Sequence, residues 1–164
     1  MTQRIAPLDD HHDRAAFECG VEPLDRYLRT QAGQDVRKRV ASCFVLTEDG
    51  SAPIAFYTLA ATSLALADLP TSITKKLPRY PSVPATLMGR LAVDNRFRGR
   101  RHGELMLMDA FGRALRSEIA TYAFVVDAKD DMAESFYKAY RFLPLMAAHR
   151  RLFIPMAEIA KLFA

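Results

Sequence analysis

The residues best suited to chemistry lie between Leu87 and Ala110, in the run LMGRLAVDNRFRGRRHGELMLMDA. Leu91-Ala92-Val93 is a short apolar run that predicts a buried strand. Asp94-Asn95-Arg96 predicts a turn, and Arg98-Gly99-Arg100-Arg101-His102-Gly103 comes directly after it. Beyond this loop apolar residues recur at helical spacing: Leu105, Met108, Ala110, Phe111 and Leu115. A strand, a loop dense in Arg and Gly, and a helix that starts at the loop make an anion cradle. Backbone N–H groups at a helix start are unpaired and carry partial positive charge. Glycine lets a phosphate approach the main chain, and arginines add forked, charged donors. The pattern predicts a bound pyrophosphate.

The elements that must hold this loop are legible on both sides of it. Arg4 to Leu8 predicts a first strand, and Ala15-Ala16-Phe17 a brief helix ending at Gly20. Pro23 suits the first turn of a helix running to about Arg39, with Leu24, Tyr27, Leu28 and Ala32 on one face. Ala41 to Thr47 and Pro53 to Leu64 predict a hairpin around Asp49-Gly50. Leu69 to Pro84 reads as loop with one helical turn, and Thr86 to Val93 as the strand before the cradle. A long helix over Gly103 to Ile119, a strand over Tyr122 to Ala128 and a short helix over Ala133 to Tyr140 come next. Phe142 begins a last strand region paired with Arg151 to Ile154, and Met156 to Phe163 closes the chain as a helix. Strands alternating with helices predict an α/β fold, a mixed sheet with helices on its faces. Without linker, repeat or low-complexity tract, residues 1–164 are expected to form a single domain.

The bulk numbers narrow the function classes. The chain has 164 residues, half of them hydrophobic, and a net charge of +4. The isoelectric point near 9.2 suits a polyanionic ligand such as a nucleotide cofactor or RNA, and equally a basic surface without a partner. No apolar run reaches the roughly 20 residues of a membrane span, and the polar N-terminus has no secretory pattern, so a cytoplasmic protein is expected. Cys19 and Cys43 have no metal-like spacing and read as buried apolar residues. No metal site and no Ser-His-Asp arrangement stands out around His11, His12, His102 or His149.

The order hairpin, strand, Arg/Gly loop, helix, strand, Phe-Tyr helix resembles the GNAT superfamily of acyl-CoA-dependent N-acetyltransferases. Arg98 to Gly103 matches the family's Gln/Arg-x-x-Gly-x-Gly/Ala pyrophosphate loop, with Leu91-Ala92-Val93 as the strand before it. Tyr122 to Ala128 matches the strand that splays from that one, and Glu134 to Phe142 (ESFYKAYRF) the family's Phe-Tyr helix and the strand after it. Two positions depart: Arg101 stands at the loop's middle glycine, and Arg141 at the glycine of the usual Gly-Phe. A narrower likeness runs through Phe17-x-Cys19-Gly20, Leu24-Asp25-x-Tyr27-Leu28, Ser42-x-Phe44-Val45, Ala55-Phe56-Tyr57-x-Leu59-Ala60 and Leu87-x-Gly89-Arg90-Leu91-Ala92-Val93-Asp94. These runs resemble the GNAT toxins of type II toxin–antitoxin modules.

The resemblance implies a GNAT fold: a central, mostly antiparallel sheet with one splayed parallel strand pair and helices on both faces. It implies acetyl-CoA as cosubstrate, aminoacyl-tRNA as the acetylated substrate, translation arrest as the outcome, and a ribbon-helix-helix antitoxin as partner. A homodimer is common among such folds. Main-chain groups of Leu91, Ala92 and Val93 would pair with the cofactor's amide-bearing arm where the strands part. Arg98, Gly99, Arg100, Arg101, His102 and Gly103 would hold its pyrophosphate, with His102 a loop residue near phosphate rather than a base. The family pattern places Tyr137 beside the thioester sulfur as general acid; on its residue type it would equally be a core aromatic beside Phe136.

Several residues carry two readings each. Ser135 could hold the cofactor or the start of its helix, as could Asp130, and Asp94 could orient the loop or only form a turn. Arg90 could face the acceptor amine and RNA phosphate, or make an ion pair. The basic clusters at Arg37-Lys38-Arg39, Lys75-Lys76 with Arg79, Arg113 with Arg116, and Arg150-Arg151 could form a tRNA track or solvated faces. Two rival functions remain: a GNAT acting on a small amine or protein amino group, and a non-catalytic RNA- or protein-binding module.

Overall fold

A computed structural model describes residues 2–146 and 149–164. Seven strands form one mixed sheet in the order β1-β2-β3-β4-β5-β7-β6. They are β1 (Arg4–Pro7), β2 (Ser42–Thr47), β3 (Pro53–Ala65), β4 (Ser82–Val93), β5 (Ala123–Asp127), β6 (Leu143–Pro144) and β7 (Arg151–Pro155). The helices are α1 (Glu22–Arg26), α2 (Ala32–Arg37), α3 (Thr71–Thr74), α4 (His102–Arg116), α5 (Asp131–Ala139) and α6 (Met156–Leu162). This is a mixed α/β arrangement with one parallel strand pair, as the resemblance implies. No helix among the described residues is long and apolar enough to cross a membrane.

The chain divides into two compact units, Met1–Ala60 with Gly89–Gly112, and Ala61–Met88 with Arg113–Ala164. In the first, β1 and β2 pair antiparallel from Arg4↔Thr47 to Pro7↔Phe44, and β2 pairs antiparallel with β3. Gly50, in the turn of that hairpin, has φ +81, which glycine adopts without strain. The core of this unit collects Leu8, Phe17, Tyr27, Leu28, Val45, Phe56 and Ala92. Helices α1 and α2 are continuous through a wide π turn, Tyr27–Gln31, and Pro23 occupies the first turn as expected. The helix ends in a Schellman closure: Arg39 has φ 61, Arg39 N–H bonds Val36 C=O, and Val40 N–H bonds Asp35 C=O.

In the second unit, β4 and β5 pair in parallel from Ala85↔Ala123 to Met88↔Val126. The ladder stops there, and Asp127 pairs with Arg151 of β7. Ala123 to Val126 are fully buried, which explains a strand written entirely in apolar residues. Ala85, Val83, Val125, Phe153 and Leu145 make this unit's core.

The structure corrects three expectations about elements. Ala15-Ala16-Phe17 is a turn, not a helix, because Phe17 is buried and the main chain of Glu18 and Cys19 bonds elsewhere. Helix α4 ends at Arg116 rather than Ile119, where Ser117 caps the Ile119 N–H. Strand β4 starts at Ser82, four residues earlier than Thr86, since Val83 and Ala85 are buried in alternation.

Candidate functional site

Strand β4 ends at Val93, and the buried carboxylate of Asp94 organises the turn beyond it. Its Oδ1 accepts from Arg96 N–H at 2.9 Å and Arg96 Nε at 3.0 Å; its Oδ2 accepts from Arg96 Nη2 at 3.0 Å and Glu18 N–H at 3.1 Å. Burial pushes this carboxyl up, but the bonds from Arg96 and Glu18 and the charge of Arg96 prevail and hold it below the usual carboxylate range. Asp94 thus caps a single helical turn, Asn95–Phe97, and ties it to the Phe17–Gly20 segment. Two further bonds join the same pieces. Asn95 N–H bonds Glu18 C=O at 2.8 Å, and Arg98 Nη2 bonds Cys19 C=O at 2.5 Å. The segment is held from its far side by Asp25, whose Oδ1 accepts Cys19 N–H at 2.8 Å, and by Arg29 Nη1 on Phe17 C=O at 2.7 Å. Gly20 sits at φ +91 with Arg98 Nη2 and Asn95 Oδ1 3.2 and 3.3 Å from where a Cβ would stand.

The loop itself turns at Gly99, with φ +78 and open space where a Cβ would project. Arg100 stacks on Phe97, its Cζ 5.5 Å from the ring centroid. Arg101 also adopts the left-handed conformation, φ 59, and pairs loosely with Glu104 at 3.5 Å. The Arg101 C=O accepts Leu105 N–H at 3.1 Å and so closes the first turn of α4. Helix geometry leaves the N–H groups before Leu105 without an intrahelical partner. His102 is buried: Nδ1 lies 3.1 Å from Phe97 C=O, and Nε2 3.0 Å from Gln3 Nε2. A carbonyl only accepts and an amide nitrogen only donates, so in this arrangement Nδ1 donates to Phe97 and Nε2 accepts from Gln3. Among the predicted cradle residues, therefore, Arg98 and His102 spend their side chains bracing the loop. Gly99, Arg100 and Arg101 are exposed.

Upstream, Leu91 and Val93 are half-buried and Ala92 is buried; from Gly89 to Val93, β4 has no register with β5 among the described residues. Arg90 lies with its Cζ 3.6 Å from the Tyr27 ring centroid. Tyr27 donates its hydroxyl to Asp35 Oδ2 at 2.8 Å, and burial with that bond raises its pKa. Arg90 is thus a stacked, held cation rather than half of an ion pair.

Tyr137 belongs to the other unit. Asp130 caps α5 by accepting Ala133 N–H at 2.8 Å, and Ser135 is exposed on that helix. The helix closes with Arg141 N–H on Lys138 C=O and Phe142 N–H on Tyr137 C=O, Arg141 taking φ 73. Phe142 packs edge-on against Tyr137 with ring centroids 5.3 Å apart, and Phe136 does the same at 5.3 Å. Tyr137 is buried, and its hydroxyl has no hydrogen-bond partner among the described residues. Burial, and secondarily the charge of Asp127, raise its pKa, so the phenol stays protonated at neutral pH. Both cysteines are buried, and burial pushes the Cys43 thiol up to about 12.

Sequence reasoning missed the structural weight of Gln3, Asp25 and Arg29. Only Asp25, within Leu24-Asp25-x-Tyr27-Leu28, had a sequence signal.

No family model matches the chain. It is 31% identical over 169 residues to a protein of Sinorhizobium fredii described as probable toxin TacT, covering 96% of this chain and 93% of that one. It is 36% identical over 137 residues to a tRNA-acetylating toxin of Mycobacterium tuberculosis, 82% and 81% of the two chains. Among solved structures, AtaT complexed with acetyl-methionyl-tRNAfMet superposes with a TM-score of 0.91 at 28% identity, over 99% of this chain and 100% of the other. AtaTR bound with acetyl-CoA superposes at 0.85 with 29% identity, over 99% and 98%. Identity above 30% over most of both chains, on the same fold, shows the family: the chain belongs to the GNAT-fold tRNA-acetylating toxins of toxin–antitoxin systems.

Proposed function

We propose that residues 1–164 act as one acetyltransferase domain that moves the acetyl group of acetyl-CoA to the α-amino group of an aminoacyl-tRNA, and so blocks translation. The observation that carries this reading is the braced Arg98–Gly103 loop at the start of α4, whose open Gly99, exposed Arg100 and Arg101 and unpaired N–H groups suit a diphosphate. Leu91, Ala92 and Val93 lie where β4 has no register with β5 among the described residues, and their main-chain groups on that side would bond the amide-bearing arm of the cofactor. Arg98 and His102 serve the site through the loop they hold. Ser135, exposed on α5, is the weakest member of the set.

The neutral amine attacks the thioester carbonyl, the C–S bond breaks, Tyr137 gives its proton to the departing thiolate, and the proton shed by the acylated nitrogen passes through water to restore the phenol. No acyl-enzyme is expected, because both thiols are buried and burial pushes the Cys43 thiol up. Arg90, held on Tyr27, supplies positive charge to the acceptor side. The partner that restrains such a toxin is expected to be a ribbon-helix-helix antitoxin, and the active form a homodimer. The test is incubation of the purified chain with acetyl-CoA and aminoacyl-tRNA: N-acetyl-aminoacyl-tRNA is expected, and acetylation of free amines or protein lysines alone would transfer the site to the rival acceptor class. Calorimetry showing no acetyl-CoA binding would favour the non-catalytic module.

A further inference from the structure

The first unit holds a second candidate site, with two arginines and two aspartates in its lining, away from the cradle loop in sequence. A cavity of about 240 Å³ is lined by Leu8, Asp9, Asp10, Arg14, Gly33, Val36 and Arg37. The guanidinium tips of Arg37 and Arg14 flank Gly33, whose Cβ would stand 3.3 Å from Arg37 Nη1 and 3.4 Å from Arg14 Nη1. Neither arginine has an ion pair among the described residues; Arg14 Nη1 donates only to Leu28 C=O at 3.2 Å. Two like charges held close together without an ion pair repel, and an anion between them removes the repulsion. Glycine is the residue that lets both guanidinium tips come this close to the helix.

The lining also carries two carboxylates. Asp9 is occupied by His11, which donates its N–H to Asp9 Oδ1 at 2.9 Å, whereas Asp10 has no hydrogen bond or ion pair among the described residues. A free carboxylate repels a bare phosphate but accepts hydrogen bonds from ribose hydroxyls. Leu8 and Val36 add apolar surface for a base. We propose that this cavity binds one ribonucleotide unit of the RNA substrate, its phosphate between Arg14 and Arg37 and its ribose against Asp10. The inference rests on the tRNA reading of the function and adds a contact to it.

Arg37→Gln, at an exposed helix end, tests it. The variant is expected to raise KM for aminoacyl-tRNA about fivefold and to lower the slope of log KM against log salt by about one, the signature of one lost phosphate contact. Its kcat and its KM for acetyl-CoA stay at wild-type values. In direct binding, an RNA dodecamer is expected to outcompete the same sequence as DNA, and Asp10→Asn to narrow that difference. Unchanged tRNA KM and salt slope in Arg37→Gln overturn the proposal. So does loss of binding to poly-glutamate with RNA binding unmoved, which would assign the cavity to a protein carboxylate. Should the wild-type chain acetylate no aminoacyl-tRNA, the functional reading fails by itself, and dodecamer binding by wild type and Arg37→Gln still decides the cavity.

Discussion

At the residue scale, the two departures from the family pattern fall on positions that glycine fits best. Arg101 and Arg141 have φ 59 and 73, a region costly for a side chain with a Cβ. Arg101→Gly is therefore expected to stabilise the chain by about 1 kcal/mol, a rise of roughly 2–4 °C in Tm, since its pair with Glu104 is loose and solvated. A lower Tm would show that the Arg101 side chain holds the loop. Tyr137 carries the sharper consequence. Tyr137→Phe keeps the ring against Phe142 and Phe136 and removes only the proton, so kcat should fall at least about 100-fold with acetyl-CoA affinity within twofold. Turnover at the wild-type rate would remove Tyr137 from its role. Asp94 gives a pH signature. Its carboxyl is held below its ordinary value, so its contribution to stability is complete above about pH 4 and is lost as pH falls through the still lower folded value. The urea midpoint of the wild type should drop more between pH 5 and pH 2 than that of Asp94→Asn; parallel curves would contradict the account.

At the element scale, the Phe17–Gly20 segment explains why an irregular run far from the cradle in sequence belongs to the site. It has no regular structure, and its main chain is shared between Asp25 and Arg29 on one side and Asp94, Asn95 and Arg98 on the other. Gly20→Ala forces a Cβ onto Arg98 and Asn95 at φ +91. The expected result is a KM for acetyl-CoA raised about threefold to tenfold and a kcat within twofold. A lowered Tm with unchanged KM would make the segment merely structural. The Schellman ends of α2 and α5 show the same economy: Phe142 both closes the Tyr137 helix and packs on the tyrosine ring.

At the scale of the whole molecule, a net charge of +4 on 164 residues suits a polyanion. Raising salt from about 50 to 200 mM should weaken aminoacyl-tRNA binding about threefold for every phosphate neutralised. A flat response would argue against an extended basic track. The sequence by itself determined the element order, the strand before an Arg/Gly loop, and the Phe-Tyr helix, because buried strands, helical periodicity and glycine turns are local signals. It misread Ala15 to Phe17 as helix, because the bonds that keep Glu18 and Cys19 extended come from Asp25 and from Asp94, 76 residues further along. It also could not separate the arginines. Arg98, Arg100 and Arg101 look alike in the chain, and only tertiary contact shows one bonded to Cys19, one stacked on Phe97 and one near Glu104. The convergence of Arg14 and Arg37 over Gly33 was equally invisible, since what a charge does depends on what stands beside it, and neighbours in space are decided by packing.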